Sequence, residues 1–199
     1  MFFKKDKFSP TYDFLVVGLG NKGKEYDGTR HNIGFCVIDA LCDDLKAECK
    51  KSKFKSLIGD GKVGDKRILI MKPQTYMNLS GQAVTEAMNF YKLKPEQVIV
   101  VFDDISLDVG RLRIRAKGSD GGHRGMRNII ELTGKDVFPR IKIGVGQKPN
   151  PDYDTKDWVL GKFKREDAPI LNDSVKGAVG AIKAIVTEDI STAMNKFNK

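Results

Sequence analysis

Cysteine is scarce in this 199-residue chain: there are three, Cys36, Cys42 and Cys49, and none stands in C-x-x-C spacing. An odd number without that spacing argues against a disulfide framework or a thiolate zinc site, and for reduced thiols in a cytosolic protein. No apolar run approaches the length of a membrane span. The opening, MFFKKDKFSPTYD, lacks the apolar centre and small-residue cleavage site of a secretory signal. Residues 1–12 are therefore expected to be a short extension ahead of a single domain over 13–199. Internal repeats, low-complexity tracts and linkers are missing too. Histidine occurs only twice, as His31 and His123, so a base that works near neutrality has few candidates.

Positive charge, by contrast, is abundant. Lys and Arg number 35 against 26 Asp and Glu, for a net charge of +9 and a pI near 9.4. That excess suggests a polyanionic partner, nucleic acid being the commonest, although a generally basic surface has the same total. Length and the 40% hydrophobic fraction are ordinary for one folded domain with a proper core.

Residues 14–18 (FLVVG) read as a buried strand ending in a glycine turn. Ile33, Val37, Leu41 and Leu45 recur at helical spacing, which predicts an amphipathic helix over 33–48. Residues 54–71 read as a hairpin punctuated by Gly-Asp-Gly and Gly-Asp, and 81–92 as a helix before the loop marked by Pro95. Val98 to Phe102 form a compact apolar strand with Asp103 and Asp104 immediately after it. Strands follow over 110–116 and 139–146, then a mostly helical 165–187 and a last turn or two over 190–197. Such mixing implies an α/β domain with helices on both faces of a sheet, and functional groups on loops at the carboxyl ends of strands.

Gly18-Leu19-Gly20-Asn21-Lys22-Gly23 matches G-x-G-x-x-G directly after a strand. A dinucleotide site needs a helix at once and an acidic residue at the end of a second strand about 20 residues on. Here the loop runs into polar KEYDGTRH, and the later stretch reads as helix. The glycines are better read as positions where backbone approaches a ligand or another loop.

Residues 111–127, RLRIRAKGSDGGHRGMR, concentrate charge. On a strand, Arg111, Arg113 and Arg115 share one face and Leu112 and Ile114 turn to the core. Lys117, Arg124 and Arg127 carry the charge past a glycine-rich loop into a helix start, and Arg140 and Lys142 extend it. One acid, Asp120, among six basic residues favours a phosphate track over a solvated strand face.

Several strings occur in a fixed order: Gly18-Leu19-Gly20-Asn21, Gly23, Tyr26, Thr29-Arg30-His31-Asn32 and Gly34; Tyr76-Met77-Asn78-Leu79-Ser80-Gly81; Asp103-Asp104; Gly121-Gly122-His123 with Gly125. Arg140 to Gly146 (RIKIGVG) and Trp158 to Phe163 (WVLGKF) complete the series. Together they resemble the bacterial peptidyl-tRNA hydrolases over roughly residues 13–190. The resemblance implies one domain with a twisted mixed sheet, helices on both faces, and metal-independent hydrolysis of the ester between a peptide and the 3′ end of tRNA. It makes His31 the base that activates water, Asp103 the group that orients it, and Asn21 the residue that senses a blocked α-amino group. Asn78 is assigned to the 3′ end and peptide backbone. Tyr26, Tyr76 and Met77 would stack on adenine or line the peptide channel, with ordinary packing the plainer alternative. Arg113, Arg115, Arg124 and Arg140 would bind tRNA. No cofactor, membrane or stable protein partner is implied, and a cytoplasmic monomer is the default.

The chain departs from the family pattern twice. Lys22 replaces the proline of N-P-G, loosening that turn. Arg124 replaces the asparagine of G-G-H-N-G, and a guanidinium has donors but no acceptor. Two readings follow: an active hydrolase, or a catalytically weak or inactive tRNA-binding paralogue that keeps the groove.

Overall fold

The computed structural model describes residues 11–198. Residues 1–10 of the expected extension lie outside the described residues. Tyr12, which the sequence assigns to that extension, is buried and packs edge-on against Tyr91 at 4.8 Å between ring centroids.

The chain runs β1 (Phe14–Gly18), α1 (Ile33–Leu45), β2 (Lys51–Lys53), β3 (Ser56–Val63), β4 (Lys66–Pro73), α2 (Ser80–Tyr91) and β5 (Val98–Asp104). It continues through β6 (Leu112–Arg115), α3 (Arg124–Thr133), β7 (Arg140–Gly144), α4 (Thr155–Leu160), α5 (Ala168–Thr187) and α6 (Ile190–Phe197). One seven-stranded sheet has the order β2-β3-β4-β1-β5-β7-β6. Its centre, β4-β1-β5-β7, is parallel, and β2, β3 and β6 are antiparallel at the edges, so the sheet is mixed.

Alternation along each strand divides the core in two. Val16, Ile70, Val101, Ile141 and Ile114 face α1, α5 and α6. Leu15, Val17, Leu69, Met71, Val100 and Phe102 face α2 and α3. The central strands are apolar on both faces, as parallel strands covered by helices must be. No helix among the described residues is long and apolar enough to cross a membrane.

Strand order reverses at β1, which has β4 on one side and β5 on the other. The carboxyl ends of β1 and β5 therefore flank the switch point, where open α/β sheets leave a crevice. The chain leaves β1 through Leu19–Gly23 and returns through a 3₁₀ turn at Arg30–Asn32 directly into α1. Glycines make that return possible. A Cβ on Gly18 would sit 2.2 Å from the Gly34 carbonyl oxygen, and one on Gly34 would sit 2.4 Å from that of Leu19 and 2.6 Å from that of Val101. The glycine string thus serves backbone-on-backbone packing.

Two local expectations are corrected and one stands. The first helix ends at Leu45, because Lys46 takes the left-handed conformation (φ 52°) and Ala47 N–H bonds back to Cys42. Gly59-Asp60-Gly61 lies inside β3 and makes no turn; a Cβ on Gly59 would meet the Glu48 carbonyl oxygen at 2.3 Å. The hairpin reverses at Gly64-Asp65, with Gly64 at φ 60° in the first central position, as a two-residue turn demands. Beyond these, β2 and α4 have no counterpart in the sequence pattern.

Gly34→Ala must push apart β1, β5 and α1 backbone that has no room to move. The expected loss is about 3 kcal/mol or more, at the upper end of overpacking costs. A urea titration should show a lowered midpoint with an unchanged m-value; an unaltered midpoint would refute the packing role.

Candidate active site

Three buried polar side chains meet at the switch point. Asp103 is the next-to-last residue of β5 and lies on its α1-facing side, His31 lies in the turn before α1, and His123 caps α3 on the opposite face of the sheet. One oxygen, Asp103 Oδ1, holds both rings: His31 Nδ1 at 2.8 Å and His123 Nε2 at 3.0 Å. The rings tilt at 60° with centroids 5.0 Å apart, and Phe102 packs against His123 at 4.7 Å.

These bonds fix the tautomers. His123 Nδ1 accepts from the Met126 N–H at 3.2 Å, so its own proton sits on Nε2 and is donated to Asp103. His31 likewise donates Nδ1–H to the carboxylate, leaving its Nε2 lone pair, which has no partner among the described residues, for the cleft. His31, Asp103 and His123 have the residue types of a metal site, with ligand atoms within 4.8 Å of one another. The fit is poor, however. Turning His123 Nε2 into a ligand would move its proton to Nδ1 and break the bond from Met126 N–H.

Burial alone would raise the Asp103 carboxyl, but attraction to His31 and His123 and hydrogen bonds from both rings outweigh it and hold the group well below its ordinary value of 3.8. In Asp104, burial likewise raises the carboxyl, and bonds from Ser106 and Lys142 prevail to lower it. Lys142 Nζ lies 2.9 Å from Asp104 Oδ2, so this second carboxylate is neutralised away from the histidines.

A cleft of about 510 Å³ opens over the triad, lined by Asn21, Tyr26, Tyr76, Met77 and Asn78 on one side and by Gly121, Gly122 and Arg124 on another, with Thr155, Lys156, Val159 and Leu160 of α4 completing it. Asn21 is locked in place: its N–H and C=O bond the Asn32 side chain at 2.9 Å each, and its Oδ1 accepts from Met77 N–H at 2.8 Å. Only its amide N–H group is left for a ligand. Asn78 and Tyr76 are exposed and Tyr26 is half-buried. Met77 is buried and belongs to the core beneath the cleft, where its sulfur would meet a Cβ on Gly125 at 2.6 Å. Met77 is thus a packing residue that also lines the cleft.

Arg30 secures the α4 wall. Its guanidinium lies 3.7 Å from the Trp158 ring centroid, with Phe163 at 5.5 Å, and donates to the Trp158 carbonyl at 3.3 Å. The residue before the base thus ties its loop to α4 by cation–π stacking.

The basic residues separate. Arg124 lines the cleft and is exposed. Leu112 and Ile114 turn to the α1-side core, while Arg113 pairs across the ladder with Lys142 and Arg115 with Arg140, outside the cleft lining. Arg140 is corrected as a binding candidate. It is 1% exposed, and its Nη1, Nη2 and Nε donate to the carbonyls of Ser119 (2.7 Å), Asp136 (2.7 Å) and Phe138 (3.2 Å). Its charge is spent on clipping together the loops on either side of α3. Conversely, the sequence pattern assigns no role to His123. A lone histidine after Gly121-Gly122 at a helix start was its only signal, and its link to Asp103 is purely tertiary.

A histidine held by a buried carboxylate, beneath a cleft at the switch point of a mixed α/β sheet, is the arrangement of an enzyme equipped for general-base chemistry. The peptidyl-tRNA hydrolase family model matches residues 15–199, and the chain belongs to that family. Peptidyl-tRNA hydrolases from Clostridium botulinum (strain Alaska E43 / Type E3) and Clostridium novyi (strain NT) are each 51% identical over 185 residues. Those alignments cover 93% of this chain and 95% and 97% of the relatives. The crystal structure of peptidyl-tRNA hydrolase from Acinetobacter baumannii superposes with a TM-score of 0.88 at 33% identity, covering 96% of this chain and 97% of that one.

Side-chain ¹⁵N spectra should show His31 protonated on Nδ1 and His123 on Nε2 at neutral pH; the opposite tautomer on either ring would overturn the assignment. Because the folded Asp103 carboxyl is depressed, the stability it confers is complete above its unfolded value, near 4, and is lost only as pH falls through the lower folded value. Its ¹³C carboxyl shift should therefore show no protonation between pH 8 and about 4.

Proposed function

We propose that the chain cleaves N-blocked peptidyl-tRNA at the ester joining the peptide to the terminal ribose, without a metal, as a cytoplasmic monomer. The observation that carries this reading is the His31 Nδ1–Asp103 bond of 2.8 Å, which leaves Nε2 as a lone-pair base in the cleft. A water held by Nε2 attacks the ester carbonyl carbon as its proton passes to the imidazole. The ring becomes cationic, and the buried Asp103 carboxylate stabilises it through Nδ1–H. Collapse of the tetrahedral intermediate breaks the bond to the ribose oxygen, which takes that proton back from Nε2. Free tRNA and a peptide carboxylate result.

His123 holds the same carboxylate oxygen from the other side, so Asp103 cannot rotate away when His31 changes charge. The Asn21 amide donor lies beside this floor and meets the carbonyl oxygen or the blocked amino end of the peptide. Asn78 and Tyr76, both exposed at the rim, meet the terminal nucleotide, with Tyr26 and Met77 beneath the peptide. Arg113 and Arg115 contact acceptor-stem phosphates from the β6 edge, supplying affinity without sequence specificity. An inactive tRNA-binding paralogue would need none of the oriented base.

His31→Ala should lower kcat about 10³-fold on an N-blocked aminoacyl-tRNA with chelator present, within the range for loss of a positioned base. KM should change little, and the free-amine aminoacyl-tRNA should be cut poorly by either protein. Activity equal to the native enzyme in His31→Ala would refute the assignment, and complete inactivity of the native chain would favour the paralogue.

A further inference from the structure

The three carboxylates lining the cleft all have partners. Asp103 holds two imidazoles, Asp104 pairs with Lys142 at 2.9 Å, and Asp120 accepts from the Gly122 N–H at 2.7 Å and from Arg127 at 3.3 Å. Arg124 has neither an ion pair nor a side-chain hydrogen bond among the described residues, yet it lines the cleft beside His123. It is also the first residue of α3, a helix with no acidic residue in its first turn. A cation there opposes the helix dipole and is met by solvent alone among the described residues, so its charge is free to meet an anionic ligand in the cleft.

The sign of that ligand is negative, and its side of the cleft is set by the neighbours. Lys142 lies close beneath the loop that leads to Arg124: a Cβ on Gly121 would sit 3.3 Å from Lys142 Nζ. Lys142 shares its sheet face with Arg113, its ladder partner. Cationic side chains thus run from the β6 edge past Lys142, whose charge is met by Asp104, to Arg124, which lines the cleft without an ion pair among the described residues. Peptide side chains differ from one substrate to the next. The phosphodiester that attaches the terminal adenosine is present in every one.

Resting on the hydrolase reading above, we propose that Arg124 is a specificity-determining residue that grips this last phosphodiester, the phosphate nearest the scissile ester. A guanidinium binds two phosphate oxygens at once, which an asparagine amide cannot do with the same charge. The contact forms in the ground state as well as in the transition state, so it should be read mainly in KM.

Two small esters test this: an N-acetylaminoacyl ester of adenosine, and the same ester of adenosine 5′-monophosphate. For the native enzyme kcat/KM should be about tenfold or more higher for the phosphorylated ester, the size of one charge-assisted contact. In Arg124→Asn that ratio should fall to near one, and Arg124→Lys should keep part of it. A ratio unchanged in Arg124→Asn, or near one in the native enzyme, overturns the proposal. So does a preference that follows an acidic peptide side chain, seen by comparing N-acetylaspartyl with N-acetylasparaginyl esters. Binding separates failure here from failure of the hydrolase reading. Adenosine 5′-monophosphate should bind about tenfold more tightly than adenosine to the native protein, but equally to Arg124→Asn, whether or not either ester is cut. Equal binding of the two by the native protein also overturns it.

Discussion

Everything at the catalytic floor depends on one buried oxygen. Asp103 Oδ1 accepts an N–H from an imidazole on each side of the sheet, at 2.8 and 3.0 Å, in a setting where the carboxylate is 3% exposed. Desolvating a carboxylate costs several kcal/mol unless hydrogen bonds replace water. Here the replacement donors are the functional groups themselves. Neither histidine can be spared without leaving a poorly satisfied buried charge, and the two layers of the protein must keep register for both to reach it.

The rest of the architecture keeps that register. Gly18 and Gly34 let α1 start against β1 and β5, which sets His31 over the end of β5. On the other face, Met126 N–H orients His123, and Gly125 admits the Met77 side chain below it. Arg140 holds the loops before and after α3 through three backbone carbonyls. Arg30 stacks on Trp158 and fastens α4 to the His31 turn. Each device is local, but all four act on the placement of two imidazole rings about one carboxylate.

Periodicity made the apolar skeleton readable. The strand over 14–18, the helix from Ile33 and the strand into Asp103-Asp104 all stand as the alternation and spacing predict. What periodicity cannot carry is geometry decided by distant chain. Lys46 ends α1 without a glycine, so nothing local marks the stop. Gly59 and Gly61 look like turn residues, but their smallness serves a close pass of the Glu48 backbone and packing of Leu45. Arg140 misled for a related reason. In a basic chain an arginine near a lysine reads as surface charge, but of these two same-face residues of β7 only Lys142 lines the cleft, while Arg140 is spent on the backbone carbonyls of Ser119, Asp136 and Phe138. The ordered motifs singled out His31, Asp103 and Asn21, which the structure brings to one cleft, whereas the partnership of His123 with Asp103 is visible only when α3 and β5 are brought together.

The burial of Asp103 also bears on what the chain is for. Replacing a buried ionic cluster with apolar side chains of similar volume is often neutral or stabilising by 1–4 kcal/mol. Stability therefore gives no reason to keep a charged carboxylate at the end of β5, since Val101 on the same face shows that a branched apolar side chain suits this strand. Nor does tRNA affinity, which basic side chains and the groove supply without it. A reaction that places a transient positive charge on His31 does need a fixed negative charge 2.8 Å from Nδ1, shielded from water and unable to turn away. An exposed arginine in the same cleft adds positive charge to it, and a substrate phosphate held there would offset that charge as the cation forms. On the reading proposed above, the carboxylate-held base and the phosphate contact at Arg124 are two halves of one charge balance, completed when the terminal nucleotide arrives.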